Sequence, residues 1–435
     1  MENPSFRDMV RLFGRIGFLS FGGPAGQIAL MHKELVHDRH WIGEEQILRA
    51  LNFCHLLPGP EAQQLATWIG WRLHGVKGGL VAGGLFVLPG AGIMLALSVF
   101  YVLTTGVAWF SALFLGIKAA VLALVVQAVL RIGARALDTR FKLALSIASF
   151  LGLFFLALPF PLVVLGAGLT GVIVAAWRPE WLRIKAAAGG GAPTPAPAPA
   201  RGMARIGVAL VGGWALPFVL IALLLGPDHV LMQIAAFFSR LAVVTFGGAY
   251  AVLAYMAQEA VQNYHWLRPG EMADGLGLAE TTPGPLILVT QFVGFLGAYR
   301  MPEPFSPLVA GVLGALVTTW VTFVPCFLWI FAFAPWIERL EHAKRLQGGL
   351  AALTAAVVGV VANVALWFGL HVLFWRVGVA TLGPLRFSFP DVHSLNLQAT
   401  ALALLAFVLL FVGRVGVVPM LGLCGTAALI LRSVL

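Results

Sequence analysis

From Gly78 to Thr104 the chain carries no charged side chain. A run of that length exceeds the ~18–20 apolar residues that let an α-helix cross the hydrocarbon layer of a bilayer. Gly207 to Leu225, Ser306 to Ala334 and Leu346 to Phe374 are built the same way. Such segments have no water to pair with their backbone, so they are expected to be helices that satisfy their own N–H and C=O groups. The rest of the sequence agrees. Only 11% of residues are charged, against about a quarter in soluble domains, which excludes a soluble globular fold. The expected class is an all-α polytopic membrane protein. Met1 to Gly17 mixes Arg7, Asp8, Arg11 and Arg15 with apolar residues and lacks the apolar core and small-residue cleavage site of a signal peptide. Cys54, Cys326 and Cys424 are far apart in sequence and suggest neither a disulfide framework nor a thiolate metal site. The net charge of +10 reads as cytoplasmic loop charge rather than as a nucleic-acid surface.

The chain is internally duplicated. A shift of 225 residues places Phe13 on Phe238, Arg15 on Arg240 and Phe21-Gly22-Gly23 on Phe246-Gly247-Gly248. The same register matches Met31 with Met256, Glu34 with Glu259, His40-Trp41 with His265-Trp266, and Pro58-Gly59-Pro60 with Pro283-Gly284-Pro285. A one-residue slip then pairs Gly70 with Gly294. The expected organisation is a first repeat over 1–180, a linker over 181–205, a connector helix over 206–230 and a second repeat over 231–435. The linker contains Ala186 to Ala200, whose alternating prolines have no apolar face to bury and favour a semi-extended chain.

Positive charge sets the expected topology. Arg178, Arg183, Lys185, Arg201 and Arg205 flank the linker, and Arg131, Arg135, Arg140 and Lys142 precede the hairpin Leu143–Leu158/Leu162–Ala176. Both ends of that hairpin therefore belong in the cytoplasm, as does the N-terminus with Arg7 and Arg11. Gly207 to Leu225 then crosses outward and makes the second repeat start on the opposite side. Two inverted-topology repeats are the expected architecture. In secondary transporters such repeats hold the substrate near the midplane between discontinuous helices.

The breaks expected to make those helices discontinuous are Gly22-Gly23-Pro24 and Pro58-Gly59-Pro60 in the first repeat, with Gly247-Gly248 and Pro283-Gly284-Pro285 in the second. Proline removes a backbone donor and clashes with the preceding turn, so each cluster ends one half-helix and lets another begin. Irregular backbone at membrane depth is tolerated only inside protein or along a cavity. A half-helix starting there points unpaired N–H groups and the positive end of its dipole into that cavity. Four such starts would make an anion site with few buried cations. The alternative for any one cluster is a kink or a tight-packing glycine.

These residues resemble a known family. FGG-P together with LPGPEAQQLATWIGW, and TFGGAYAVL together with TTPGPLILVTQFVGF, are similar to the chromate ion transporter family in its long, two-domain form. The resemblance covers the chain apart from the linker. It implies export of chromate, a tetrahedral dianion shaped like sulfate, from the bacterial cytoplasm across the inner membrane, with chromate resistance as the outcome. Carriage of sulfate or another oxyanion, or a channel, is the rival reading.

Side chains that could contact the anion are Gln63 and Gln64 after the first Pro-Gly-Pro, Thr282 before the second, and Lys118, the one cation inside Val107 to Leu130. A charge at that depth usually faces a cavity or a partner, although a lysine can also snorkel to the interface. Glu61, His55 and its counterpart Glu280 are candidates for proton coupling. The bland reading of Glu61 is a cap at a helix N-terminus. His32, His37 and His40 lie near Glu34 and Asp38, but their spacing does not set three ligands on one helix face, so no metal is expected. No nucleotide-binding loop, zincin motif, nucleophile elbow or dinucleotide fingerprint is present, and neither an enzyme nor a cofactor is expected. The partners expected are the bilayer and a chromate- or sulfate-like oxyanion, with homodimerisation left open and nucleic acid excluded.

Overall fold

The computed structural model describes residues 4–21, 23–183, 201–245, 249–268, 270–334, 343–383 and 385–434. The chain is helical nearly throughout. Helices α1 (Phe6–Leu19), α2 (Gly23–His32), α3 (Glu44–Cys54), α4 (Glu61–Thr104) and α5 (Ala108–Ala136) form the first stretch. They are followed by α6 (Arg140–Leu156), α7 (Phe160–Trp177) and α8 (Arg201–Leu224). The second half holds α9 (Val230–Val244), α10 (Ala249–Gln258), α11 (Glu271–Thr281), α12 (Val289–Arg300) and α13 (Pro307–Phe333). It ends with α14 (Lys344–Leu373), a β-hairpin, α15 (Leu397–Phe407) and α16 (Val417–Val434). Among the described residues six helices are long and apolar enough to cross a membrane. The polytopic α-helical class is therefore observed.

The duplication read in the sequence has a local structural counterpart. In each half a helix is followed by a break, a shorter helix, a π-helical turn (Lys33–Asp38 and Glu259–Asn263), and then a further helix leading to Pro-Gly-Pro. His40 and His265, matched by the 225-residue shift, both adopt left-handed backbone at φ 53° and 54°. Gly59 and Gly284 do so as well, at φ 118° and 97°. Of the four breaks, Gly22, Gly247 and Gly248 lie outside the described residues, as does most of the linker. Helix α4 contains the half-helix expected to begin at Glu61. Its backbone leaves helical geometry at His74 and Gly75 (φ 63°), which separates Glu61–Leu73 from the charge-free run.

The chain forms two compact units, each drawing on both halves of the sequence. The first contains 1–98, 185–252 and 282–344; the second contains 99–184, 253–281 and 345–435. Within the first, Gly70 packs on Gly78 where α4 folds back after its kink, and Gly294 packs on Gly314 between α12 and α13. An added Cβ would fall on the Gly78 carbonyl oxygen at Gly70 and on the Thr318 hydroxyl at Gly294. Close backbone approach at small residues is how helices associate where lipid offers no hydrophobic drive. In the second unit α5 is enclosed by α11, α15 and α16. Ala119, Leu122, Leu402, Ala403 and Ala428 form its apolar core.

One element departs from the all-helical expectation. Val377–Leu382 and Leu385–Pro390 pair as an antiparallel hairpin, with Val377 opposite Pro390 and Leu382 opposite Leu385. Its sequence, VGVATLGPLRFSFP, is rich in β-branched and aromatic residues around a Gly-Pro turn, the usual hairpin signal.

Gly70→Val and Gly294→Val are each expected to destabilise the protein by about 1–3 kcal/mol through overpacking. Gly14→Ala, whose Cβ would meet nothing within 4 Å, is expected to be neutral or to gain up to ~1 kcal/mol from helix propensity. Thermal unfolding in detergent, followed by gel filtration, compares the three.

Candidate anion-binding centre

In Pro58-Gly59-Pro60 the two prolines have no N–H, so Gly59 supplies the triplet's one backbone donor. That N–H donates to the Thr245 carbonyl at 2.8 Å. In the other repeat the Gly284 N–H donates to the Ser20 carbonyl at 2.9 Å. The 225-residue shift carries Ser20 to Thr245 and Gly59 to Gly284, so these two bonds are the same bond made in both directions. A reciprocal contact of this kind is what a two-fold relation produces. Each repeat's Pro-Gly-Pro is tied to the residue that ends the first helix of the other.

The carbonyls are satisfied by side chains. Gln64 Nε2 donates to Pro58 O at 2.7 Å, and Gln27 Nε2 donates to Gly284 O at 2.6 Å from a buried position in α2. Gln291 Nε2 reaches Ala91 O at 3.0 Å. Two prolines inside long helices support the breaks from behind. Beside Pro89, Gly90 lies against Pro283 and Gly284; beside Pro325, Cys326 lies against Gly59. A Cβ on Gly59 would come within 2.8 Å of Cys326 Sγ.

These contacts enclose a small cavity lined by Pro24, Gln27, Pro60, Glu61, Ala62, Thr245, Pro285, Leu286 and Ile287. Its volume, about 10 Å³, is that of a single water site. Pro60, Pro285 and, near the start of α2, Pro24 all line this cavity. Glu61 and Ala62 open the half-helix of α4, where the first N–H groups have no partner within the helix. In the second repeat Leu286–Leu288 form a 3-10 turn before α12, a tighter start than the one expected. Buried oxygens without a partner among the described residues surround the breaks: Ser20 Oγ and the Oε1 atoms of Gln63, Gln64 and Gln291. Buried polar atoms are normally paired, so this set is polar capacity the closed site does not use.

The remaining candidates are placed as follows. Glu61 is buried and lines the cavity, where its ionised form would repel an anion. Gln63 is buried and bonded to Thr67 Oγ1, and Gln64 holds the break; neither lines the cavity. Thr282 is buried in the first unit, and Glu280 is buried near the end of α11 in the second. His55 is exposed at the end of α3. Lys118 belongs to the second unit, where its Nζ stands 3.1 Å from Asp274 Oδ1. His32 Nε2 pairs with Glu44 at 2.8 Å, and His37 lies beside them; His40 is not part of that group. Arg15 and Arg39 both pair with the buried Glu34 at 3.6 Å. Sequence reasoning did not single out Gln27, Thr245, Asp274 or Tyr101. Gln27 carried a signal, being a lone amide on the apolar segment that starts at the first break.

A polytopic helical membrane protein with paired broken helices around a polar centre is the class these features define. The family description "Chromate transporter" matches residues 7–172 and 232–430, one region in each half. A chromate transport protein of Pseudomonas aeruginosa is 31% identical over 366 residues, covering 82% of this chain and 79% of the relative. A chromate transport protein of Cupriavidus metallidurans is 28% identical over 368 residues, covering 82% and 81%. An uncharacterized transporter of Methanocaldococcus jannaschii is 24% identical over 371 residues, covering 85% and 86%. No solved structure matches the chain. The chain belongs to the chromate transporter family, a family of transporters and not of enzymes.

Gly59→Ala is expected to cost about 1–3 kcal/mol because it forces a side chain into left-handed backbone and against Cys326. Gly59→Ala combined with Cys326→Ala should recover the steric part and not the backbone part. A double-mutant cycle of thermal midpoints in detergent measures the two, and simple additivity would show that the Gly59–Cys326 contact is unimportant.

Proposed function

We propose that this chain is a secondary transporter that carries chromate, or a tetrahedral oxyanion of the same form, out of the bacterial cytoplasm and so confers chromate resistance. The observation that carries the reading is the cavity shared by the two Pro-Gly-Pro breaks, tied together by the reciprocal Gly59–Thr245 and Gly284–Ser20 bonds. Backbone N–H groups at half-helix starts suit an oxyanion, because charge-assisted hydrogen bonds to an anion are about twice as strong as neutral ones. In this reading Gly23, Pro24, Pro58, Gly59, Pro60, Pro283, Gly284 and Pro285 shape the site; Gly22, Gly247 and Gly248 lie outside the described residues. Family membership and the names of the relatives support chromate as the substrate; sulfate remains the rival.

In this reading the repeats are inverted in the inner membrane, with the N-terminus and linker in the cytoplasm. Alternating access then follows from the two-fold relation: the half-helices of one repeat gate one side and those of the other repeat gate the opposite side. Glu61 is the coupling group nearest the anion, since an ionised carboxylate and a dianion compete for the same field.

Two measurements test the proposal. Labelled chromate and sulfate flux in proteoliposomes, with pH and voltage gradients imposed separately, is expected to be saturable and to depend on a gradient; ohmic conductance would establish a channel instead. On a cysteine-free background, Asp38→Cys and Asn263→Cys, which are equivalent and exposed, are expected to label from opposite sides of the membrane. Labelling from the same side would refute inversion.

A further inference from the structure

The second unit holds a buried charge pair that the anion centre does not use. Lys118 Nζ lies 3.1 Å from Asp274 Oδ1, and Tyr101 Oη donates to Asp274 Oδ2 at 2.8 Å. The two partners are not equally buried. The Asp274 side chain is 4% exposed and that of Lys118 is 25% exposed. The ammonium looks onto a cavity of about 110 Å³, lined among others by Gly270, Trp367, His371, Trp375 and Asn396. A water occupies roughly 30 Å³ of liquid, so several waters, or a small hydrated ion, fit there.

The lining suits an anion. Asn396 Oδ1 already accepts from Ala399 N at 3.0 Å, so what the amide can offer the cavity is its N–H donors. His371 Nδ1 is engaged by the Trp367 carbonyl at 2.9 Å, so the ring adds positive charge only when protonated. The titratable groups facing Asp274 and this cavity are Lys118 from α5, Tyr101 from the end of α4, His371 from α14, and Glu271 from α11 itself. The Glu271 carboxylate accepts from the Arg268 N–H at 2.7 Å. Lys118 is the one permanent cation among them.

We propose that this cavity is a second oxyanion site, which fills together with a proton on Asp274. With the cavity empty, Lys118 and Asp274 neutralise each other. A dianion beside Lys118 sets three negative charges against one positive charge in a poorly screened environment, where like charges cannot all remain ionised. A proton from water moves onto the Asp274 carboxylate, the Lys118–Asp274 attraction is released, and the ammonium serves the anion. Proton and anion therefore bind with positive linkage, and by reciprocity anion affinity rises as pH falls. Asp274 lies on α11, which ends at Thr281. The inference rests on the oxyanion-carrier reading and adds, beside Glu61, a second group that takes up a proton.

The test uses the full chain in lipid nanodiscs with sulfate and selenate, tetrahedral dianions that do not titrate near neutral pH. Saturating either anion in weakly buffered medium is expected to draw protons from solution, read by a pH indicator, in proportion to anion bound. On a Glu61→Gln background, which removes the other carboxyl that an anion would protonate, Asp274→Asn should bind anion with the uptake abolished and with affinity no longer dependent on pH. Lys118→Met should lose both uptake and second-site binding, and Lys118→Arg should retain them. Tyr101→Phe removes a donor to the carboxylate, so its uptake should persist with the midpoint moved to higher pH. Gel filtration screens each variant for folding, and Tyr101→Phe and Lys118→Arg carry the test if Asp274→Asn misfolds. Uptake unchanged in Asp274→Asn, or saturable binding to wild type without uptake, would overturn the inference while leaving the carrier intact. Chromate flux without binding of either test anion would also overturn it. Absence of all oxyanion flux in wild type would instead overturn the carrier reading.

Discussion

A break in a membrane helix leaves backbone donors with nothing to bond, and the structure depends on how that is resolved. Each Pro-Gly-Pro reduces the problem to one N–H, because proline has none to offer. That single donor, from Gly59 or Gly284, is accepted by a carbonyl of the other repeat. An unsatisfied buried donor costs about 1–3 kcal/mol, and each break draws its acceptor from the other repeat. The duplication is therefore structural as well as historical: each half completes the other. On the acceptor side Gln64 and Gln27 cover the Pro58 and Gly284 carbonyls.

The sequence was informative wherever physics acts locally or repeats itself. Length and apolarity marked the spans. Proline and glycine marked the breaks, and the half-helix from Glu61 to Leu73 ends where the backbone turns at His74 and Gly75. His40 and His265, paired by the 225-residue register, share a left-handed conformation in the structure, because both repeats make the same turn. What stayed hidden depends on side-chain direction across long sequence separations. Lys118 was visible as a cation in an apolar helix. Its partner was not, since Asp274 lies in a segment read only as the approach to a break. Gln27 was similarly obscure, because an isolated glutamine on a membrane helix is as often packing glue as a tie to a distant carbonyl. The hairpin at Val377–Pro390 lies beyond the apolar run that ends at Phe374 and outside the 225-residue register, so neither signal marked it.

The small volume of the central cavity bears on how a carrier of this kind would work. A site of about 10 Å³ admits a water and not a tetrahedral oxyanion, so in the proposed mechanism this state is closed and unloaded. Loading requires the two breaks to separate, and the bonds in the way are Gly59–Thr245 and Gly284–Ser20. An entering oxyanion brings acceptors of its own. Replacing a neutral carbonyl with an anionic oxygen exchanges an ordinary hydrogen bond for a charge-assisted one, roughly twice as strong. The cost of parting the repeats is then offset by the substrate that parts them, and water, a weaker acceptor, leaves the breaks shut. Because the two bonds are equivalent by the repeat, opening one while the other holds gives two asymmetric states of equal chemistry, one for each side of the membrane. On this reading the closed two-fold arrangement is the intermediate between them, and selectivity for a compact, multiply charged anion comes from the need to supply acceptors to both breaks in turn.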